Sequence, residues 1–366
     1  MTDICTRCIM DRSDPEIVFD NLGVCNHCHS HQRLLAAYPR GENGRQALQV
    51  IADRIRNEGR DKEYDCLIGL SGGVDSTYLA ALVKDLGLRP LAVHFDSGWD
   101  SELAVHNIER LVTELDLELH TFVVDWEEMR DLQLAFLRAG VANCDVPTDH
   151  GFTAALYQVA VREKIPYLLS GANNATESHL PRAWGYSARD LRHLRAIHAR
   201  FGQRPLVKFP MLSLPYEAYA RAVAGFRKFD PLNYIDFVKA DAMREIESRL
   251  GWQYYGGKHY ESVFTRFFQG YYLPQRFGID KRRSHLSALV SSNQMSRTEA
   301  LAEIEKPPAD PQQLERDKLY VLKKLGISVD EFETIMRSPT KTHRDYPSNE
   351  LVFRTINAIR SRVQAL

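Results

Sequence analysis

The stretch LIGLSGGVDSTYLAAL (67–82) constrains this chain most. A short apolar run stops at Ser71-Gly72-Gly73 and restarts as a helical repeat through Asp75 and Ser76. Paired glycines cost backbone entropy, so they belong where a chain bends sharply or another group comes close. The pattern predicts a buried strand, a tight turn and a helix. The alternation recurs: DCLIGL (65–70), PLAVHF (90–95), LHTFVV (119–124), PYLLSG (166–171) and PLVKFP (205–210) read as strands. Helical repeats over 76–86, 101–115, 126–138 and 150–163 separate them. Strands alternating with helices predict an α/β fold, a parallel sheet with helices on both faces. Beyond about 214 the strand signal ends and helices dominate, with PPADP (307–311) as a loop between two helical parts.

A strand, a glycine turn and a helix N-terminus together make an anion site, because free backbone N–H groups and the positive helix end converge there. Ser71, Gly72, Gly73, Val74 and Ser76 would cradle phosphates. Asp75 repels phosphate unless a divalent cation stands between, which predicts Mg²⁺. The lysine of a Walker A loop is missing.

Four of the six cysteines, Cys5, Cys8, Cys25 and Cys28, form C-x2-C-x16-C-x2-C, the spacing of a structural zinc site. His27 is an alternative ligand. Residues 33–60 read as two short helices broken at Pro39–Gly44. The expected organisation is a zinc module (1–32), a helical connector (33–60), an α/β domain (61–213) and a C-terminal helical region (214–366). The formal net charge of −1 shows no global basic field for nucleic acid. The first residues carry no signal-peptide pattern and no run is long enough to span a membrane, so the expected location is the cytoplasm.

SGGVDS resembles the PP-loop of the ATP pyrophosphatase superfamily. That resemblance implies a PP-loop (adenine nucleotide alpha hydrolase-like) fold over about 61–210 and ATP cleaved between its α and β phosphates. A substrate oxygen is adenylylated and a nucleophile then displaces AMP. It also implies that His94 and Phe95 lie near the adenine and Asp96 near the ribose. Asp96 also reads as a strand-end turn residue. SGANNATES (170–178) follows the strand expected at the topological switch point, where Gly171 would pass the α-phosphate and Glu177 hold water or metal.

The whole chain resembles the N-acetyl sugar amidotransferases of bacterial surface-polysaccharide and nonulosonic-acid synthesis. The resemblance is carried by the cysteine pairs, SGGVDS, HFDSGW, NCDVPTDHG (143–151), SGAN and KHYESVFTRFFQGYYLPQRFGIDKRRSHLS (258–287). It implies that an acetamido group on a nucleotide-activated sugar becomes acetamidino, consuming ATP and ammonia. The products serve lipopolysaccharide O-antigen or related glycans. NCDVPTDHG would place Asp145, Asp149 and His150 in one loop at the substrate, although Asp149 or Thr148 also reads as a helix cap. Lys258 would stabilise charge at the α-phosphorus, with His259 and Glu261 orienting the acetamido group or relaying protons. Arg266, Lys281 and Arg282 would hold phosphate or carboxylate, against the alternative of a solvated basic face.

No glutaminase nucleophile is recognisable: Thr2 would lead straight into the metal module, and only Cys66 and Cys144 remain free. Ammonia is therefore expected from a separate glutaminase pair resembling the two subunits of imidazole-glycerol-phosphate synthase. The rival reading is a tRNA thiolase using Cys66 and Cys144 as a catalytic pair.

Overall fold

A computed structural model describes residues 3–258 and 260–363, with the side chains of 357–363 excepted, so the expected catalytic His259 lies outside the described residues. Five parallel strands form one sheet in the order β3-β2-β1-β4-β5. They are β1 (Cys66–Leu70), β2 (Pro90–Asp96), β3 (Glu118–Val123), β4 (Tyr167–Leu169) and β5 (Arg227–Phe229). The chain starts at the centre with β1, builds outward through β2 and β3, then returns to place β4 on the other side. The switch point thus falls between the C-terminal ends of β1 and β4, where open α/β sheets bind ligands.

The apolar run of β1 is explained by burial on both faces. Cys66, Ile68 and Leu70 face a core shared with helices α2 (Gly41–Glu58) and α3 (Val74–Asp85). Leu67 faces the opposite core, built on Ala154, Leu156 and Val159 of a helix over Val146–Arg162. A third cluster joins the four cysteines to Phe264, Phe267, Tyr272 and Phe332 of the C-terminal helices. Among the described residues no helix is long and apolar enough to cross a membrane.

Several expected boundaries move. PLVKFP forms no strand, because the Glu128 carboxylate accepts the backbone N–H groups of Val207, Lys208 and Phe209 at 2.8–3.0 Å. The fifth strand lies beyond residue 213, at Arg227–Phe229, too short and too polar to show an apolar run. The helix expected at 150 starts at Val146, with Pro147 in its first turn. Asp149 and His150 are therefore helical, and Asp145 precedes the helix without a side-chain capping bond. Helix α1 (Asn26–Ala36) contains Cys28 and runs across residue 32.

Glu128 gives a direct test of this region. Glu128→Gln removes the charge and one of two accepting oxygens while the three backbone donors remain. A loss of about 2–3 kcal/mol in urea-derived stability is expected; an unchanged midpoint would mean that water replaces the carboxylate.

Candidate active site

The loop after β1 is held by its own side chains. Ser71 Oγ and Ser76 Oγ lie 3.2 Å apart, the Gly73 amide donates to Ser71 Oγ, and Ser76 Oγ donates to the Gly73 carbonyl. Gly72 has φ +77°, and a Cβ there would meet the Ala104 carbonyl at 2.9 Å, so two independent constraints require glycine. Its own carbonyl accepts the indole N–H of Trp252 at 2.9 Å. Across the switch point Gly171 lies against this loop: a Cβ would sit 3.0 Å from the carbonyl carbon and oxygen of Asp75.

A cavity of about 470 Å³ opens over the loop, between β4 and the segment Tyr254–Glu261. Lys258 enters it and meets Glu177 at 2.9 Å and Asp75 at 3.9 Å. Burial opposes its charge, but Glu177 and Asp75 outweigh that, so its pKa is raised. Asn173 donates to Asp75 at 3.3 Å. Glu261 lines the same cavity, and its backbone carbonyl accepts the Ser101 N–H at 2.8 Å.

Lys239 also lines the cavity, and nothing in the sequence singles it out, since one lysine opening an amphipathic helix looks solvated. Burial, then the neighbouring Lys258 charge, pull its pKa down. Arg189 and Arg221 line the cavity as well, both paired with Glu217.

His94, Phe95 and Asp96 do not line this cavity, and their side chains have partners of their own. His94 bridges the Leu70 carbonyl and Asp100, each at 3.0 Å. Burial lowers its pKa, but Asp100 outweighs this and the net shift is upward. Phe95 packs against Phe122 and fills the space beside Gly151. Asp96 accepts the Gly98 N–H at 2.8 Å in a strand-end turn.

The other expected substrate residues divide in two. His150 is clamped between the Ala188 carbonyl (2.6 Å) and the Leu212 N–H (3.1 Å). Arg266 spends its fork on Asp317 at 2.5 and 2.8 Å. Arg282 binds Asp280 and the carbonyls of Glu303, Ile304, Lys306 and Pro307, closing the end of the helix Arg297–Glu305. All three hold the fold together. Asp145, Asp149 and Lys281 instead form a charge group: Asp145 is buried and accepts from Thr265 at 2.8 Å, whereas Asp149 is exposed. Burial, then the Asp149 charge, push Asp145 up to about 7. Burial pulls Lys281 down, against the opposing pull of Asp149 and Asp145.

The four cysteines of the N-terminal module are wholly buried, with all four sulfurs within 4.8 Å of one another. The Cys8–Cys25 and Cys5–Cys28 sulfurs lie 3.6 and 3.9 Å apart. Four thiolates around one ion with bonds of about 2.3 Å stand about 3.8 Å apart, so the set fits a single tetrahedral metal ion. His27 binds Asp14 at 2.7 Å and stays outside the set.

Residues 261–360 match the family described as LPS biosynthesis protein WbpG-like, C-terminal domain. Its first residue, Glu261, stands in the cavity, so the WbpG-like segment begins at the candidate site. No curated protein matched the chain. Among solved structures, NH3-dependent NAD synthetase from Campylobacter jejuni is 16% identical with a TM-score of 0.33, over 78% of this chain and 97% of that one. The U34-tRNA thiolase NcsA from Methanococcus maripaludis, with its [4Fe-4S] cluster, is 14% identical with a TM-score of 0.33, over 89% of each chain. NMN synthetase from Francisella tularensis is 14% identical with a TM-score of 0.29, over 62% of this chain and 93% of that one.

The Asp145 shift makes stability depend on pH. A carboxyl raised from 3.8 to about 7 on folding contributes fully below the lower value, and its contribution is lost as pH rises toward the higher one. Asp145→Asn should therefore flatten the fall in stability between about pH 4 and 7, read as melting temperature against pH. A variant profile parallel to the wild type would show that Asp145 ionises normally.

Proposed function

We propose that the chain is an ATP-dependent amidotransferase that converts an acetamido group of a nucleotide-activated sugar into an acetamidino group, for lipopolysaccharide O-antigen or a related surface glycan. The observation that carries this reading is Lys258, an ammonium held between Asp75 of the glycine loop and Glu177 beyond β4. A cation already stands between two carboxylates that face the anion-binding loop. With ATP bound, Mg²⁺ would take its place on Asp75, and Lys258 would turn to the phosphates. The acetamido oxygen attacks the α-phosphorus and pyrophosphate leaves. Ammonia then adds to the imidate carbon, and AMP departs with the oxygen.

The WbpG-like domain supports a surface-polysaccharide substrate. The charge group of Asp145, Asp149 and Lys281 has the mixed sign that a polar sugar needs. Ammonia would come from a separate glutaminase pair, since an activated imidate open to water hydrolyses back to the amide. Zinc would be the ion of the cysteine site, structural because four thiolates leave no open position.

The thiolase reading loses its nucleophiles. Cys66 lies at the N-terminal end of β1, paired in register with Pro90, and the loop follows the opposite end. Burial pushes both the Cys66 and Cys144 thiols up, away from the reactive thiolate.

Turnover with ATP and ammonium should lower the mass of a suitable nucleotide sugar by about one unit and add one positive charge to it at neutral pH, as an amidine is far more basic than an amide. Isolated protein should work with high ammonium but not with glutamine until the glutaminase is added. Asp75→Asn should cut pyrophosphate release about a hundredfold or more with the fold intact, the scale for loss of one transition-state-stabilising group. Wild-type rates in that variant would remove the metal role, and thiolated tRNA as product would overturn the reading.

A further inference from the structure

A chain of hydrogen bonds runs from the four-cysteine site to Ser178, which directly follows the cavity residue Glu177. Cys28 and His31 lie three residues apart on α1 and so share a face. His31 Nδ1 is 2.6 Å from Ser178 Oγ, and Ser178 Oγ is 3.0 Å from His179 Nδ1. His179 Nε2 is 3.0 Å from Ser291 Oγ and 3.9 Å from Cys28 Sγ. Ser291 Oγ lies 3.6 Å from the same sulfur. His31, His179 and Ser291 are all buried.

Counting donors orients the chain. A metal-bound thiolate only accepts, so Ser291 donates to Cys28. Ser291 then accepts from His179 Nε2–H, and His179 Nδ1 accepts from Ser178. Ser178 in turn accepts from His31 Nδ1–H. One set of proton positions satisfies all four contacts, and every donor points toward the sulfur.

The middle of the chain adjoins the cavity. Ser178 and His179 directly follow the short helix Asn174–Glu177, whose last residue holds Lys258 at 2.9 Å. Asn173, just before that helix, holds Asp75. Ser292 donates to the Ala175 carbonyl at 2.9 Å and fixes the helix from the other side.

We propose that His179 is a positioning residue: an outer-shell partner of the ion in the four-cysteine site that, through Ser178, sets Glu177 and Lys258 in the cavity and so couples ion loading to ATP affinity. The coupling rests on the reading of the loop as an ATP site. Outer-shell partners orient metal ligands and hold them in register. Coupling between two binding equilibria is reciprocal, so bound ATP must also tighten binding of the ion by the same factor.

The test uses the full chain loaded with Zn²⁺. Zinc release into excess chelating dye and ATP affinity by calorimetry with Mg²⁺ are measured for wild type, His179→Ala and Ser178→Ala. In His179→Ala, zinc affinity should fall about ten- to a hundredfold, the usual range for outer-shell substitutions. ATP affinity should fall about fivefold or more, the lower range of coupling between sites. Ser178→Ala cuts the chain beyond His179. It should release zinc at nearly the wild-type rate yet lose ATP affinity to a similar degree. ATP should slow zinc release in wild type and not in Ser178→Ala. ATP affinity indifferent to both substitutions at full zinc loading overturns the coupling, as does unchanged zinc release in His179→Ala. If His179→Ala fails to fold by circular dichroism, Ser178→Ala decides alone, and wild-type ATP affinity in it overturns the proposal. No ATP binding by wild type overturns the nucleotide reading, and the coupling with it.

Discussion

A buried ammonium stays charged only if carboxylates surround it, and the architecture of this site follows from that requirement at Lys258. Glu177 arrives from the segment after β4, Asp75 from the first turn of α3, and Lys258 from just ahead of the WbpG-like segment. Three distant parts of the chain must come together before any of these charges is neutralised. A buried ion pair adds little net stability over an apolar replacement, because desolvation offsets its attraction. The arrangement therefore adds little to stability, and it leaves a charged ammonium beside the glycine loop.

The C-terminal cations divide by partner. Arg266 and Arg282 turn their forks inward, onto a carboxylate and onto helix-end carbonyls. Arg297 reaches the Cys5 and Cys8 carbonyls at 3.0–3.2 Å and ties the cysteine module to the C-terminal helices. A planar guanidinium suits such multiple bonds to oxygen. Lysine is a point charge with fewer fixed demands: Lys258 meets Glu177 and Asp75 in the cavity, and Lys281 feels the charges of Asp149 and Asp145. One basic sequence run thus serves both scaffold and site.

Local order was legible wherever it depends on near neighbours. Repeat spacing and turn residues identified β1 to β4 and the glycine loop, and C-x2-C spacing identified a cysteine set that the fold closes to within 4.8 Å. Asp75, Lys258 and Glu261 could be picked out because a carboxylate in a phosphate loop, and charges beside paired glycines, conflict with simple burial. Failures came where a distant partner overrides local preference. PLVKFP has the composition of a strand, yet Glu128 takes its donors. Arg266 and Arg282 resemble phosphate ligands until Asp317, Asp280 and the helix-end carbonyls claim them. Lys239 and His179 carry no local mark at all.

The sequence by itself determined the α/β alternation, the loop and the four-cysteine set, because backbone periodicity, glycine freedom and short-range thiol spacing act within a few residues. Only the tertiary structure decided which charges face the cavity and which brace the scaffold. A side chain's protonation and partner depend on burial and on groups scores of residues away, and those are set only when the sheet, the cysteine module and the C-terminal helices pack together.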